Sequence, residues 1–120
     1  MTLPVALVED SREQQSLLLS YLDEIRREGV TLKTNAFSSA EDFLADWPAG
    51  QYRLIFLDIQ LPRMDGLSLA RRIRETDRDA AIVFITSMAK FAVNGYEVDA
   101  VDFIVKPVLY DVFMRKMDRI

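Results

Sequence analysis

The 120-residue chain contains neither cysteine nor histidine. Without cysteine, disulfides and thiolate zinc sites are excluded, a usage compatible with the cytoplasm, where the chain is expected to reside. Without histidine, the chain has no imidazole general base, no imidazole metal ligand and no phosphohistidine of its own. Its chemistry must therefore run on carboxylates, hydroxyls and amines. Long hydrophobic runs are missing as well: none approaches the about eighteen residues of a membrane span. The N-terminus lacks the basic and then apolar pattern of an export signal. Nor is there a basic stripe. A net charge of −4 makes the domain itself a poor ligand for nucleic acid.

What is present describes one globular domain over residues 1–120, half of them hydrophobic and 28% charged, with no internal repeat or low-complexity segment. Leu54-Ile55-Phe56-Leu57 is an apolar run that stops on Asp58, followed by Pro62 and Asp65-Gly66, the signals of a loop entering a helix. Leu3-Pro4-Val5-Ala6-Leu7-Val8 ends likewise on Glu9-Asp10, Ala80 to Ile85 on Thr86-Ser87, and Val101 to Val105 on Lys106-Pro107. Short apolar runs bounded in this way suit strands buried on both faces of a parallel sheet. Val30 to Phe37 alternates in polarity and reads as an edge strand.

Helical patterns lie between the strands. Leu18, Tyr21, Leu22 and Ile25 share one helical face, with Asp10 or Ser11 as cap and Gly29 as stop, Arg26 and Arg27 falling in the last turn. Ser38-Ser39-Ala40-Glu41 is a capping-box pattern opening a short helix that Pro48-Ala49-Gly50 stops. Asp65 caps a helix with Leu67, Leu69, Ala70 and Ile73 inward and the arginines at 71, 72 and 74 on a solvated face. Met88 to Val98 is a poor helix, because it contains Asn94 and Gly95. A last helix from about Tyr110 places Leu109, Val112, Phe113, Met117 and Ile120 on its apolar side and has no stop signal, so further chain is expected after residue 120. Five strands alternating with five helices give an α/β fold. It is doubly wound around a five-stranded parallel sheet of order 2-1-3-4-5.

In such a sheet the carboxyl ends of all strands share one edge. Glu9, Asp10, Asp58, Thr86 and Lys106 therefore converge, the acidic residues flanking the switch point. Each has a plainer reading: Glu9-Asp10 as an acidic helix start, Thr86 as a strand-end hydroxyl, Lys106 as a solvated lysine, Asp58 as a strand end facing water. Four polar strand ends with complementary chemistry favour a site. Clustered carboxylates either hold protons or recruit a cation. With oxygen ligands only, that cation is Mg2+, Mn2+ or Ca2+. A phosphoryl group on Asp58 would give Thr86 and Lys106 an anion to hold.

These motifs resemble the receiver domain of two-component response regulators, a flavodoxin-like fold. They are Val8-Glu9-Asp10, the block from Leu57 to Gly66, Ile85-Thr86-Ser87 and Val105-Lys106-Pro107. The resemblance implies that Asp58 accepts phosphate from a sensor histidine kinase. It implies that Glu9, Asp10, Asp58 and the Gln60 backbone carbonyl bind Mg2+, that Thr86 and Lys106 contact the phosphoryl group, and that Lys106-Pro107 is cis. Thr86 and Phe103 become the switch pair, with Phe103 lacking the hydroxyl of the tyrosine common there. Gln60 and Met88 occupy the positions that tune phosphoryl lifetime; Met88 cannot polarise water, which predicts slow self-dephosphorylation. The stretch Phe91 to Phe103 resembles LytTR-type regulators, implying a DNA-binding output domain after residue 120 and contact with DNA only through it. The resemblance also implies a phosphoacceptor, not a turnover enzyme, and a homodimer through the fourth helix, fifth strand and fifth helix. Three alternatives stand beside it. A stand-alone regulator would act by protein docking. A flavodoxin-like cofactor binder would find its phosphate repelled by Glu9-Asp10. A haloacid-dehalogenase-type phosphatase would find Gln60 where its second aspartate belongs.

Overall fold

A computed structural model describes residues 1–47 and 51–120. The expected Pro48-Ala49-Gly50 stop lies outside the described residues. In chain order the elements are β1 (Thr2–Val8), α1 (Arg12–Asp23), β2 (Thr31–Phe37), α2 (Ala40–Asp46), β3 (Leu54–Leu57) and α3 (Gly66–Arg74). There follow β4 (Ala81–Thr86), a 3-10 helix (Ala89–Val98), β5 (Asp102–Val105) and α4 (Tyr110–Met117). The sheet is wholly parallel with the order β2-β1-β3-β4-β5, as the apolar runs predict.

Alternate residues of each strand feed two cores. Ala6, Val8, Ile55, Leu57, Ile82 and Phe84 face α2 and α3, meeting Phe43, Leu69 and Ile73. Val5, Leu7, Phe56, Val83, Ile85 and Ile104 face α1 and α4, meeting Leu18, Leu22, Phe113 and Met117. Since both faces of β3 are covered, its four residues are all buried. The half-polar β2 sits at an edge, where one flank meets water.

Local chemistry fixes the helix starts. Ser11 accepts a hydrogen bond from the Gln14 amide at 3.3 Å and Asp65 one from the Ser68 amide at 2.8 Å. The capping box expected at Ser38 and Glu41 is not formed. Ser39 caps α2 through the Asp42 amide, and Glu41 instead accepts from the Met64 amide at 3.2 Å, tying α2 to the loop after β3.

Four further expectations need correction. First, α1 ends at Asp23, well before Gly29. Between Ile25 and Val30 the chain is wholly polar, so another turn would bury nothing. Arg27 gains more by donating to the Met117 and Ile120 carbonyls at the end of α4, and Gly29 takes a positive φ in the turn before β2. Second, the fourth crossover is a 3-10 helix, consistent with the poor propensity of Asn94 and Gly95. Third, Leu109 is 60% exposed, because it stands at the N-cap outside α4. Fourth, Arg74 does not belong to a solvated face: it is buried, for reasons given below.

Candidate functional site

The strand register decides which polar ends meet. Val8 pairs with Leu57, so Glu9 and Asp58 leave neighbouring strands at one level. The Asp58 amide donates to the Val8 carbonyl at 3.1 Å, extending the ladder to that point. Thr86 pairs with Val105, and the Lys106 amide donates to the Thr86 carbonyl at 2.9 Å. Lys106 thus starts farther along the edge, and its long stem reaches back to the carboxylates.

One oxygen each of Glu9, Asp10 and Asp58 lies within 4.8 Å of the others. Lys106 Nζ donates to Glu9 Oε1 at 2.5 Å and to Asp58 Oδ2 at 2.8 Å. Glu9 is 1% exposed and Asp58 5%, so these are ion pairs largely removed from water, with Asp10 outermost. The second oxygen of each buried carboxylate is also bonded. The Ser11 amide donates to Glu9 Oε2 at 3.1 Å, and the Gln60 amide to Asp58 Oδ1 at 3.0 Å.

Burial pushes the Glu9 pKa up, against the lowering effect of hydrogen bonds from Lys106 and the Ser11 amide; the Asp58 charge pushes it the same way as burial. Burial works to lower that of Lys106, but its two carboxylate partners outweigh this and the ammonium is held above its ordinary value. The cluster carries three carboxylates against one ammonium, and all its donors are hard oxygens. That set fits a divalent cation of the Mg2+ type.

The remaining expected residues are close in topology but separately engaged. Thr86 is fully buried, and its hydroxyl accepts from the Met88 amide at 3.2 Å, tying the start of the 3-10 segment to β4. Phe103 is half-buried, packed on the first core with its ring 5.9 Å from that of Phe84. Gln60 is exposed on the loop after Asp58. The Lys106-Pro107 bond is cis.

Two residues bear on the cluster without having been singled out from sequence. Gln15 Nε2 donates to the Glu9 carbonyl at 2.5 Å and, more weakly, to the Phe37 carbonyl at 3.4 Å, bridging the ends of β1 and β2. Nothing in the helical pattern of α1 marks it. Gly66 opens α3 so close to β3 that a Cβ there would lie 2.1 Å from the Asp58 carbonyl oxygen. The Asp-Gly pair signals a turn but not this approach. A cavity of about 340 Å³ between Leu3, Leu32, Leu54, Met117 and Ile120 lies at the opposite, amino edge of the sheet, remote from the carboxylates.

A flavodoxin-like sheet with an acidic pocket and a bridging lysine at its switch point defines a class of α/β signalling domain. Residues 5–118 match the response regulator receiver domain, and the chain belongs to that family, whose members act in two-component signalling. Among curated relatives, the sensory transduction protein LytR of Staphylococcus saprophyticus is 34% identical over 102 residues, covering 84% of this chain and 39% of that protein. The response regulatory domain of mrkE from Klebsiella pneumoniae superposes with a TM-score of 0.86 at 28% identity, over 98% of this chain and 93% of that one. TrrA from Thermotoga maritima, solved in complex with Mg2+-BeF, does so with 0.80 at 27% identity, over 98% and 97%. The chain spans 21% to 48% of the length of the first curated relatives it matches. Among the described residues no helix is long and apolar enough to cross a membrane.

Proposed function

We propose that this domain accepts a phosphoryl group on Asp58 from the phosphohistidine of a partner sensor kinase. It then relays that event as a change of shape to a DNA-binding output domain of LytTR type following residue 120. The observation that carries the reading is Lys106 Nζ bonded at once to the buried Glu9 and Asp58 inside a three-carboxylate cluster.

In the transfer, an Asp58 carboxylate oxygen attacks phosphorus and the P–N bond to the kinase imidazole breaks. The electron pair returns to the ring nitrogen, which takes up a proton. Glu9, Asp10, Asp58 and the Gln60 carbonyl would hold Mg2+, which when bound neutralises charge on the transferring group. Lys106 is already aimed at Asp58 and holds the new anion by a charge-assisted hydrogen bond. Thr86 turns its hydroxyl to the same anion and gives up the Met88 amide.

Moving a two-state equilibrium from mostly off to mostly on needs about 5.5 kcal/mol. Hydrogen bonds to a charged group contribute about 1.5–3 kcal/mol each, so two or three from Thr86, Lys106 and a backbone amide reach that scale. Phe103, packed on Phe84, repacks with Thr86 without a hydroxyl to signal, and Met88 leaves the phosphoryl group long-lived. The readout is a homodimer through the 3-10 segment, β5 and α4, where Val93, Val105 and Tyr110 are exposed. The same reading makes the protein a cytoplasmic phosphoacceptor that turns over no external substrate.

Intact mass after treatment with acetyl phosphate and Mg2+ tests the proposal. The wild type gains one phosphoryl group and Asp58→Asn gains none; equal gains in both would refute it.

A further inference from the structure

Arg74, at the end of α3, is 9% exposed and, among the described residues, donates to backbone carbonyls alone. Its Nε reaches Val98 O at 2.6 Å, Nη1 reaches Ala80 O at 2.8 Å and Asp77 O at 3.2 Å, and Nη2 reaches Asp99 O at 3.2 Å. One guanidinium thus ties the last residue of the 3-10 segment, and the Asp99 that follows in a left-handed turn, to the loop entering β4. An Arg fork suits this, because its donors are coplanar and permanently charged.

The two ends of the segment are held unequally. At its start the Met88 amide rests on the Thr86 hydroxyl through one neutral hydrogen bond of 3.2 Å. At its end two charge-assisted bonds from Arg74 converge, and such bonds are roughly twice as strong as neutral ones. The end is further fixed by Val98, which is buried, and by the Val101 amide, which donates to Ile82 O at 2.8 Å. The Arg71–Glu97 pair at 3.1 Å is exposed on both sides and adds little.

We infer that Arg74 is a positioning residue that anchors the far end of the segment, so that motion begun at Thr86 pivots about Val98–Asp99 and displaces only residues 88–94. The inference rests on the switching role proposed for Thr86. It goes beyond that role by assigning the direction of motion and the part that stays still.

Hydrogen exchange read by mass spectrometry, with and without beryllofluoride and Mg2+, tests it, alongside the acetyl phosphate mass measurement. In the wild type, exchange at 88–94 changes on activation while 98–101 stays constant. In Arg74→Lys, which keeps the charge but loses the fork, exchange at 98–101 rises about tenfold, the scale of one charge-assisted hydrogen bond. The activation-dependent change then spreads into that stretch. Arg71→Gln leaves the wild-type pattern intact. The pivot is overturned if 98–101 in the wild type responds as strongly as 88–94, a result that does not depend on any variant folding. It is equally overturned if Arg74→Lys keeps the wild-type pattern. Absence of a phosphoryl mass gain would defeat the underlying switching role instead, so the two failures are separable.

Discussion

Replacing Lys106 by methionine keeps the length and apolar stem of the side chain but removes its charge. Glu9 and Asp58 would then face each other, both nearly excluded from water, with no cation between them. Removing one partner from a buried ion pair costs about 3–5 kcal/mol, mostly from the uncompensated charge left behind. Two carboxylates lose their partner here, which raises the cost, but the lysine side chain is itself 17% exposed, which lowers it. About 4 kcal/mol is therefore expected for Lys106→Met in metal-free buffer at neutral pH.

Two further dependences identify the cause. Without the ammonium, the upward push of burial on the Glu9 pKa loses the opposing Lys106 hydrogen bond, so the folded form binds more protons than the unfolded one. The loss therefore shrinks as pH falls toward the carboxylate range. A divalent cation that takes the place of the ammonium restores about 2.7 kcal/mol at a hundredfold excess over its dissociation constant. Urea unfolding of wild type and Lys106→Met at two pH values, with EDTA and with Mg2+, measures all three quantities. A metal-free loss below about 1 kcal/mol at neutral pH, the size of an exposed pair, would refute the account of Lys106 with Glu9 and Asp58 as ion pairs removed from water.

Gly66→Ala puts a carbon into the Asp58 backbone, and because the obstacle is main chain it cannot be relieved by a rotamer. A loss of about 3 kcal/mol is expected, at the top of the usual overpacking range, with slower phosphoryl uptake at Asp58 in the intact-mass assay. Asp99→Gly removes a side chain from a φ of 52° and should raise the urea midpoint, by up to about 1 kcal/mol in stability. The Glu41 pKa is lowered by its own backbone N–H at the first turn of α2, then by the Met64 amide and Arg63. Its hold on the loop is therefore present above the ordinary carboxylate pKa and lost as pH falls through the lowered one. An NMR titration should show the Met64 amide shift following that acidic step, and Glu41→Gln should abolish it.

The apolar runs were readable because the inner strands of a parallel sheet are enclosed and must be continuously hydrophobic; Leu54 to Leu57 and Ala81 to Ile85 leave little alternative. The polar residue directly after each run then marks the carboxyl edge. The juxtaposition of Glu9, Asp10, Asp58 and Lys106 follows from topology before any coordinate is known. What stayed hidden depends on partners far along the chain. Arg74 looks like its neighbours Arg71 and Arg72 in the helical pattern, and only the fold brings carbonyls from 77, 80, 98 and 99 to it. The early end of α1 likewise depends on Arg27 finding the end of α4, some ninety positions away. Glu41 left its capping role because the Met64 amide was within reach.

Because the Arg74 fork grips main-chain oxygen, its four bonds depend on the path of the backbone through 77, 80, 98 and 99 before they depend on the side chains there. Replacements there still meet other demands, because Ala80 and Val98 are buried and Asp77 and Asp99 place negative charge beside the guanidinium, whereas an insertion or deletion would pull the oxygens out of step altogether.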